Sequence, residues 1–191
     1  MPAERLVLTD MDGVIADLEG RVRELLHLEY PNVRLPLPED RKTFYMDEQI
    51  VEEHRPLVAQ IIARPGFFLS LKPVIGAVEA LRQIEALPNV TLAICTSPLR
   101  DTRYCVTEKY EWVRKMLGEP FVERMIMTRD KTLIRADFLI DDKPFVSGAN
   151  LYPSWTHIVR RQPYNVGCGK EFIDWNSRDG WKDFYEFLKY E

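Results

Sequence analysis

The chain has 191 residues, enough for one domain or a core domain with a modest insertion, and for a core that hides roughly 70% of the unfolded surface. A formal net charge of −4 disfavours a nucleic-acid polymer as partner, because such binders usually carry a basic stripe. No stretch approaches the ~20 apolar residues of a membrane span, and the start Met1-Pro2-Ala3-Glu4-Arg5 reads as neither secretory nor transit leader, so a cytoplasmic protein without a membrane partner is expected.

In chain order, the first predicted strand is 6–9, which ends in Asp10-Met11-Asp12-Gly13-Val14. Residues 16–72 then read as mainly helical, with Leu18, Val22, Leu25 and Leu26 followed by Ile50, Val51, Ile61 and Ile62, broken by a Pro-rich turn at 31–38. Pro73 starts the next predicted helix, carrying Val74, Ala77, Val78, Leu81 and Ile84 at helical spacing. A strand at 90–95 follows. A helix from near Thr107 comes next, with Tyr110, Val113 and Leu117 on one side and a stop at Gly118. Strands at 125–127, 138–140 and 157–159 complete the alternation. The last helix places Trp181, Phe184, Tyr185 and Leu188 at i, i+3, i+4 and i+7.

Short apolar runs alternating with helices predict an α/β fold with a parallel sheet. Residues 16–72 are too long for a simple crossover and read as an inserted helical cap. The expected division is therefore a core of 1–15 with 73–191, and a cap of 16–72.

The chemistry concentrates at strand ends, where open parallel sheets bind ligands. Alternation puts Asp10 and Asp12 on one side of the chain, and Gly13 permits a sharp turn after them. The strand at 138–140 ends likewise in Asp141-Asp142. Four carboxylates there repel by about 4 kcal/mol per close pair at an effective dielectric of 20, and a hard divalent cation, most simply Mg²⁺, resolves that conflict. Thr96-Ser97-Pro98 after the strand at 90–95 offers hydroxyls and backbone N–H groups to a phosphate, and Lys131 adds a compact positive charge.

An Asp-x-Asp-Gly-Val strand end, a strand ending in Thr-Ser, a lysine and a strand ending in Asp-Asp resemble, in that order, the haloacid-dehalogenase phosphatase superfamily. More narrowly, Leu8-Thr9-Asp10-Met11-Asp12-Gly13-Val14, Ile94-Cys95-Thr96-Ser97-Pro98, Thr128-Arg129-Asp130-Lys131-Thr132 and Leu139-Ile140-Asp141-Asp142-Lys143 resemble the 5′(3′)-deoxyribonucleotidases. So do Gly66-Phe67-Phe68-Leu69, Glu108-Lys109-Tyr110-Glu111-Trp112-Val113 and Pro153-Ser154-Trp155. The resemblance runs from about residue 5 to 160. It implies a three-layer Rossmann-like sandwich with a small cap after the first strand, and a phosphoric monoester hydrolase of nucleoside monophosphates, with pyrimidine deoxyribonucleotides the expected class.

On that resemblance Asp10 is the expected nucleophile and Asp12 the general acid and base. Thr96, Ser97 and Lys131 would hold the phosphoryl oxygens. Mg²⁺ would lie against Asp10, the Asp12 carbonyl and one of Asp141 and Asp142, with Asp142 the expected direct ligand. Phe44 and Tyr45 of the cap fall where the family's paired aromatics lie, and Phe68 and Leu18 are further candidates for contact with the nucleoside. Leu18 stands where a Phe is typical, Tyr45 where a Trp can occur, and Ile61-Ile62 where another aromatic is expected. A homodimer is possible by the same resemblance and by the frequency of two-fold assemblies.

Other signals point elsewhere than chemistry. Cys95, Cys105 and Cys168 have no metal-ligand spacing and read as reduced thiols. His27, His54 and His157 are scattered, Gly167-Cys168-Gly169-Lys170-Glu171 lacks the spacing of a phosphate loop, and Ser97 is not flanked as a nucleophile elbow. Two readings stand beside the nucleotidase: a phosphatase of another small metabolite such as a sugar phosphate, and a catalytically silent phosphate-binding module.

Overall fold

A computed structural model describes residues 4–99 and 102–190. The outer ends of the expected core ranges, 1–3 and 191, and the pair 100–101 lie outside the described residues. Among the described residues six strands form one sheet: β1 (Arg5–Thr9), β2 (Val90–Thr96), β3 (Ile126–Met127), β4 (Phe138–Asp141), β5 (Thr156–Arg160) and β6 (Phe172–Ile173). Their order is β3-β2-β1-β4-β5-β6, and every neighbouring pair is parallel. β6, two residues long, has no counterpart among the sequence-predicted strands.

The chain moves outward from β1 to β2 and β3, then returns to lay β4, β5 and β6 on the other side of β1. That reversal makes the β1/β4 junction the topological switch point, the crevice in which open α/β sheets bind ligands. Thr9 lies in register with Ile140, and Asp10 N–H donates to Ile140 O at 2.8 Å, so the carboxylates after β1 and those ending β4 emerge side by side.

Alternation along the strands divides the core. Val7, Leu92, Ile94, Phe138, Ile140 and Ile158 face the larger cluster. They pack there with α3 (Ala77–Glu85), α4 (Cys105–Met116) and α5 (Asp179–Tyr190) through Leu81, Ile84, Trp112, Val113, Trp181 and Leu188. Leu8, Ala93, Cys95 and Leu139 face the opposite way, under Trp155 and the partly buried Ile134, Ala136 and Val146. The third layer is thus thin, built from a 3-10 turn at Lys131–Leu133 and the loop before β5.

The helix expected from Pro73 begins four residues later, at Ala77. Pro73 is instead bridged to Ala16, and Val74 N–H donates to Ile15 O at 2.9 Å, so this stretch closes the stalk of the 16–72 segment. Two buried indoles clasp that stalk: Trp175 Nε1 donates to Val14 O at 3.0 Å, and Trp112 Nε1 to Leu71 O at 2.8 Å. Between these points the chain forms α1 (Leu18–Glu29), 3-10 turns and α2 (Arg55–Ile62). Asp17 caps α1 by accepting from Gly20 N–H at 2.9 Å. Among the described residues, no helix is long and apolar enough to cross a membrane.

Candidate active site

A cleft of about 1080 Å³ opens over the carboxyl ends of β1, β2 and β4. Asp10, Asp12, Leu18, Phe44, Tyr45, Thr96, Ser97, Lys131, Asp141 and Asp142 all line it, which brings together every sequence-predicted site residue except Phe68. Phe68 is 1% exposed and packs in the main core, with Lys109 Nζ 5.3 Å from its ring centroid. Its 3-10 turn, Phe68–Ser70, faces α4 and so directs the ring behind the site.

After β1 the backbone turns tightly, with Ala16 N–H donating to Met11 O and Gly13 N–H to Ala16 O, both at 2.9 Å. Gly13 adopts φ +75°, and a Cβ there would run into Asp142 Oδ2. Arg160 and Gln162 each donate to Gly13 O at 3.3 Å, which fixes the turn from the β5 side.

Asp10, Asp141 and Asp142 bring one carboxylate oxygen each within 4.8 Å of one another. Lys131 Nζ stands 2.6 Å from Asp141 Oδ2 and 3.0 Å from Asp10 Oδ1. Asp141 Oδ1 accepts from Lys143 N–H at 2.9 Å, so both oxygens of Asp141 are engaged within the protein. Asp142 differs. Its Oδ2 accepts from the Tyr164 hydroxyl at 2.5 Å, while Oδ1 is buried and, among the described residues, has no hydrogen-bond partner. Asp12 Oδ1 is likewise buried and unsatisfied. Three clustered carboxylates, with unpartnered buried oxygens on Asp142 and on the neighbouring Asp12, fit a hard divalent cation.

Burial is the main cause of the electrostatics here. It raises the Asp10 carboxyl above the usual range, against the pull of Lys131, and raises Asp12 against the pull of Lys109. Asp142 is pushed up to about 8, by burial first and then by the Asp141 and Asp10 charges. For Lys131 burial acts downward, but Asp10 and Asp141 outweigh it and the ammonium is held more firmly charged than usual. Burial and the Asp142 charge raise Tyr164, which therefore remains a neutral donor.

Lys109 is a site residue that sequence reasoning passed over. It is 0% exposed, and its Nζ reaches Asp12 Oδ2 at 2.6 Å, Thr96 Oγ1 at 3.0 Å and Ser97 O at 2.8 Å. Three ammonium protons thus meet three acceptors, and the Thr96 hydroxyl keeps its own proton free to donate. A signal was present: Cys105, Lys109, Trp112 and Val113 form the buried stripe of α4, so the lysine stands on the apolar face. The stripe expected instead began at Tyr110, which is half-buried. Next to it, Glu108 accepts from Gly66 N–H at 2.5 Å and Phe68 N–H at 3.0 Å, tying α4 to the return of the 16–72 segment. His157, 8% exposed, is a core histidine on β5, lowered to about 4 by burial.

The sequence of residues 4–189 matches the family described as 5′ nucleotidase, deoxy (pyrimidine), cytosolic type C. The chain is 46% identical over 189 residues to the human 5′(3′)-deoxyribonucleotidase, cytosolic type, covering 94% of this chain and 92% of that protein. It is 43% identical over 162 residues to the mitochondrial 5′(3′)-deoxyribonucleotidase of Mus musculus, covering 83% and 74% of the two chains. Among solved structures, a haloacid dehalogenase-like family hydrolase from Streptococcus pneumoniae superposes with a TM-score of 0.62 at 10% identity, covering 98% of this chain and 100% of that one. Magnesium-bound YfnB from Bacillus subtilis gives 0.55 at 15% identity, covering 98% and 99%. These likenesses show the haloacid dehalogenase-like fold.

Proposed function

Because this chain belongs to the 5′ nucleotidase, deoxy (pyrimidine), cytosolic type C family, we propose that it is a Mg²⁺-dependent phosphatase of nucleoside monophosphates, with pyrimidine deoxyribonucleotides its main substrates and the cytoplasm its compartment. The observation that carries the reading is the meeting of Asp10, Asp12, Lys131, Asp141 and Asp142 at the β1/β4 switch point, in a cleft that Leu18, Phe44 and Tyr45 also line.

Asp10 attacks phosphorus, the bond from phosphorus to the ester oxygen breaks, and an aspartyl-phosphate forms on Asp10. Asp12 donates a proton to the departing ester oxygen, then removes one from the water that hydrolyses the acyl phosphate. A carboxyl raised by burial suits the first role, and Lys109 at 2.6 Å orients it. Thr96 and Ser97 at the end of β2, with Lys131, hold the phosphoryl oxygens.

Asp10, Asp142 and the Asp12 main-chain carbonyl would hold Mg²⁺, with Asp141 behind them, since Lys131 and the Lys143 N–H already occupy its oxygens. Bound there, Mg²⁺ supplies positive charge that offsets the phosphate and the clustered carboxylates. Leu18, Phe44 and Tyr45 would form the nucleoside side of the cleft, and flat aromatic faces suit a base.

The test is phosphate release with Mg²⁺ across deoxyribo- and ribonucleoside monophosphates and sugar phosphates, with Asp10→Asn alongside. Turnover confined to sugar phosphates would replace the nucleotidase reading. An Asp10→Asn enzyme with wild-type turnover would remove the nucleophile assignment, and no turnover on any substrate would leave a binding module.

A further inference from the structure

The loop that carries Phe44 and Tyr45 reaches the acidic cluster through a second residue of the core. Arg41 is 8% exposed, and its guanidinium carbon lies 4.3 Å from the centroid of the Tyr164 ring. Phe44 meets the same ring edge-on at 6.0 Å. The Tyr164 hydroxyl donates to Asp142 Oδ2 at 2.5 Å. Asn165, 1% exposed, adds Nδ2 donations to Asp142 O at 2.9 Å and Arg160 O at 2.8 Å, which hold the 3-10 turn Pro163–Asn165 against the end of β4. From the other flank Lys143, which follows Asp142 in the chain, has its Nζ 5.5 Å from the Phe44 ring and 5.8 Å from the Tyr45 ring.

Arg41 is itself fixed on the loop side. It donates to Glu19, to Phe44 O and to Thr43 O, the last at 3.1 Å. The guanidinium therefore does two jobs: it sets the loop's backbone and offers its flat face to Tyr164. Tyr164 in turn occupies one oxygen of Asp142, and Oδ1 stays buried with no hydrogen-bond partner among the described residues. A residue that hydrogen-bonds a metal ligand sets that ligand's orientation, and its loss typically weakens metal binding by about 10–100-fold.

We propose that Tyr164 is a positioning residue that aims the Asp142 carboxylate and ties it to residues 41–45, so that cation binding and ordering of the aromatic loop reinforce one another. The proposal rests on the reading of the acidic cluster as a cation site, and it adds that the nucleoside side of the cleft and the cation side are one packed unit. Thermodynamic reciprocity then requires that whatever orders the loop also tightens the cation, and by the same factor.

The experiment uses the full chain with Mg²⁺ as the probe, and needs no substrate. Calorimetric titration compares wild type with Tyr164→Phe, which keeps the ring under Arg41 and removes only the hydroxyl, and with Arg41→Lys, which removes the planar stack. Tyr164→Phe is expected to weaken Mg²⁺ binding about 10–100-fold. Arg41→Lys is expected to weaken it in the same direction, although the Arg41 contacts named above include none of the cluster carboxylates. Hydrogen exchange over residues 38–47 supplies the second readout: Mg²⁺ slows it in the wild type and leaves it unchanged in Tyr164→Phe. Equal Mg²⁺ affinity in Tyr164→Phe and wild type, or equal slowing of the loop in both, would overturn the proposal. Absence of phosphatase turnover would sink the proposed function and leave these binding results standing, so the two failures are distinguishable.

Discussion

Replacing Lys109 by Met tests whether Asp12 depends on a buried partner. The lysine is 0% exposed and its three donors have three acceptors, so Met keeps most of the volume and removes all the polarity. Removing one partner of a buried ion pair costs about 3–5 kcal/mol, because the remaining charge stays desolvated. The Asp12 side chain is 20% exposed on the cleft side, which places the loss near the lower end, about 3 kcal/mol. For a chain of 191 residues, about 2–4 °C per kcal/mol gives a fall in Tm of about 6–12 °C. A displaced acid–base group should lower kcat by about 10²–10⁴, the usual share of positioned proton transfer. Scanning calorimetry and phosphate release measure the two effects on Lys109→Met, Asp12→Asn and the double variant. Each single change strands one charge, whereas the double strands none, so the double should be more stable than the sum of the singles by about 1–3 kcal/mol. Additive losses, or a Lys109→Met enzyme with unaltered Tm and kcat, would refute the pairing as the organiser of Asp12.

Three other changes probe different parts of the site. Asp142, pushed up to about 8 in the metal-free protein, binds its proton more tightly folded than unfolded. Its contribution to stability is therefore retained below about pH 4 and lost as pH rises toward 8. With chelator present, Asp142→Asn should gain Tm relative to wild type steadily between pH 4 and 8, and Mg²⁺ should erase the gain; a pH-independent difference would contradict the assignment. Gly13→Ala places a methyl against Asp142 Oδ2 at φ +75°, so calorimetry should find Mg²⁺ binding abolished or severely weakened, with about 1–3 kcal/mol of strain visible in Tm. Phe68→Ala, in the core behind the site, should cost about 3–5 kcal/mol of stability and leave substrate KM within about twofold. A raised KM with unchanged Tm would return that ring to the pocket wall.

Much of this protein is legible in one dimension. Strands β1, β2, β4 and β5 announce themselves as apolar runs because both of their faces are covered, and Asp10, Asp12, Asp141 and Asp142 stand out because carboxylates directly after such runs are costly without a purpose. Their position directly after the strands suffices to point to the carboxyl edge of a parallel sheet, whereas the switch point emerges only from the strand order. In the last thirty residues the helix was legible from its apolar spacing, but the contribution of the segment before it was not. β6 is two residues long, and Tyr164 sits in a three-residue turn whose importance depends on Asp142, 22 positions earlier.

What the sequence determined by itself is therefore the parallel sheet and the polar residues that cluster at its strand ends, since both follow from local periodicity and residue type. Only the tertiary structure decided which charges are spoken for. Asp141 has both oxygens engaged, by Lys131 and the Lys143 N–H, while Asp142 Oδ1 has no partner among the described residues; Lys109 reaches Asp12 from a helix 97 residues away; and Phe68 turns inward beneath that lysine. The reason is physical: a hydrogen bond or ion pair inside a core is set by which elements pack together, and no window of neighbouring residues contains that information.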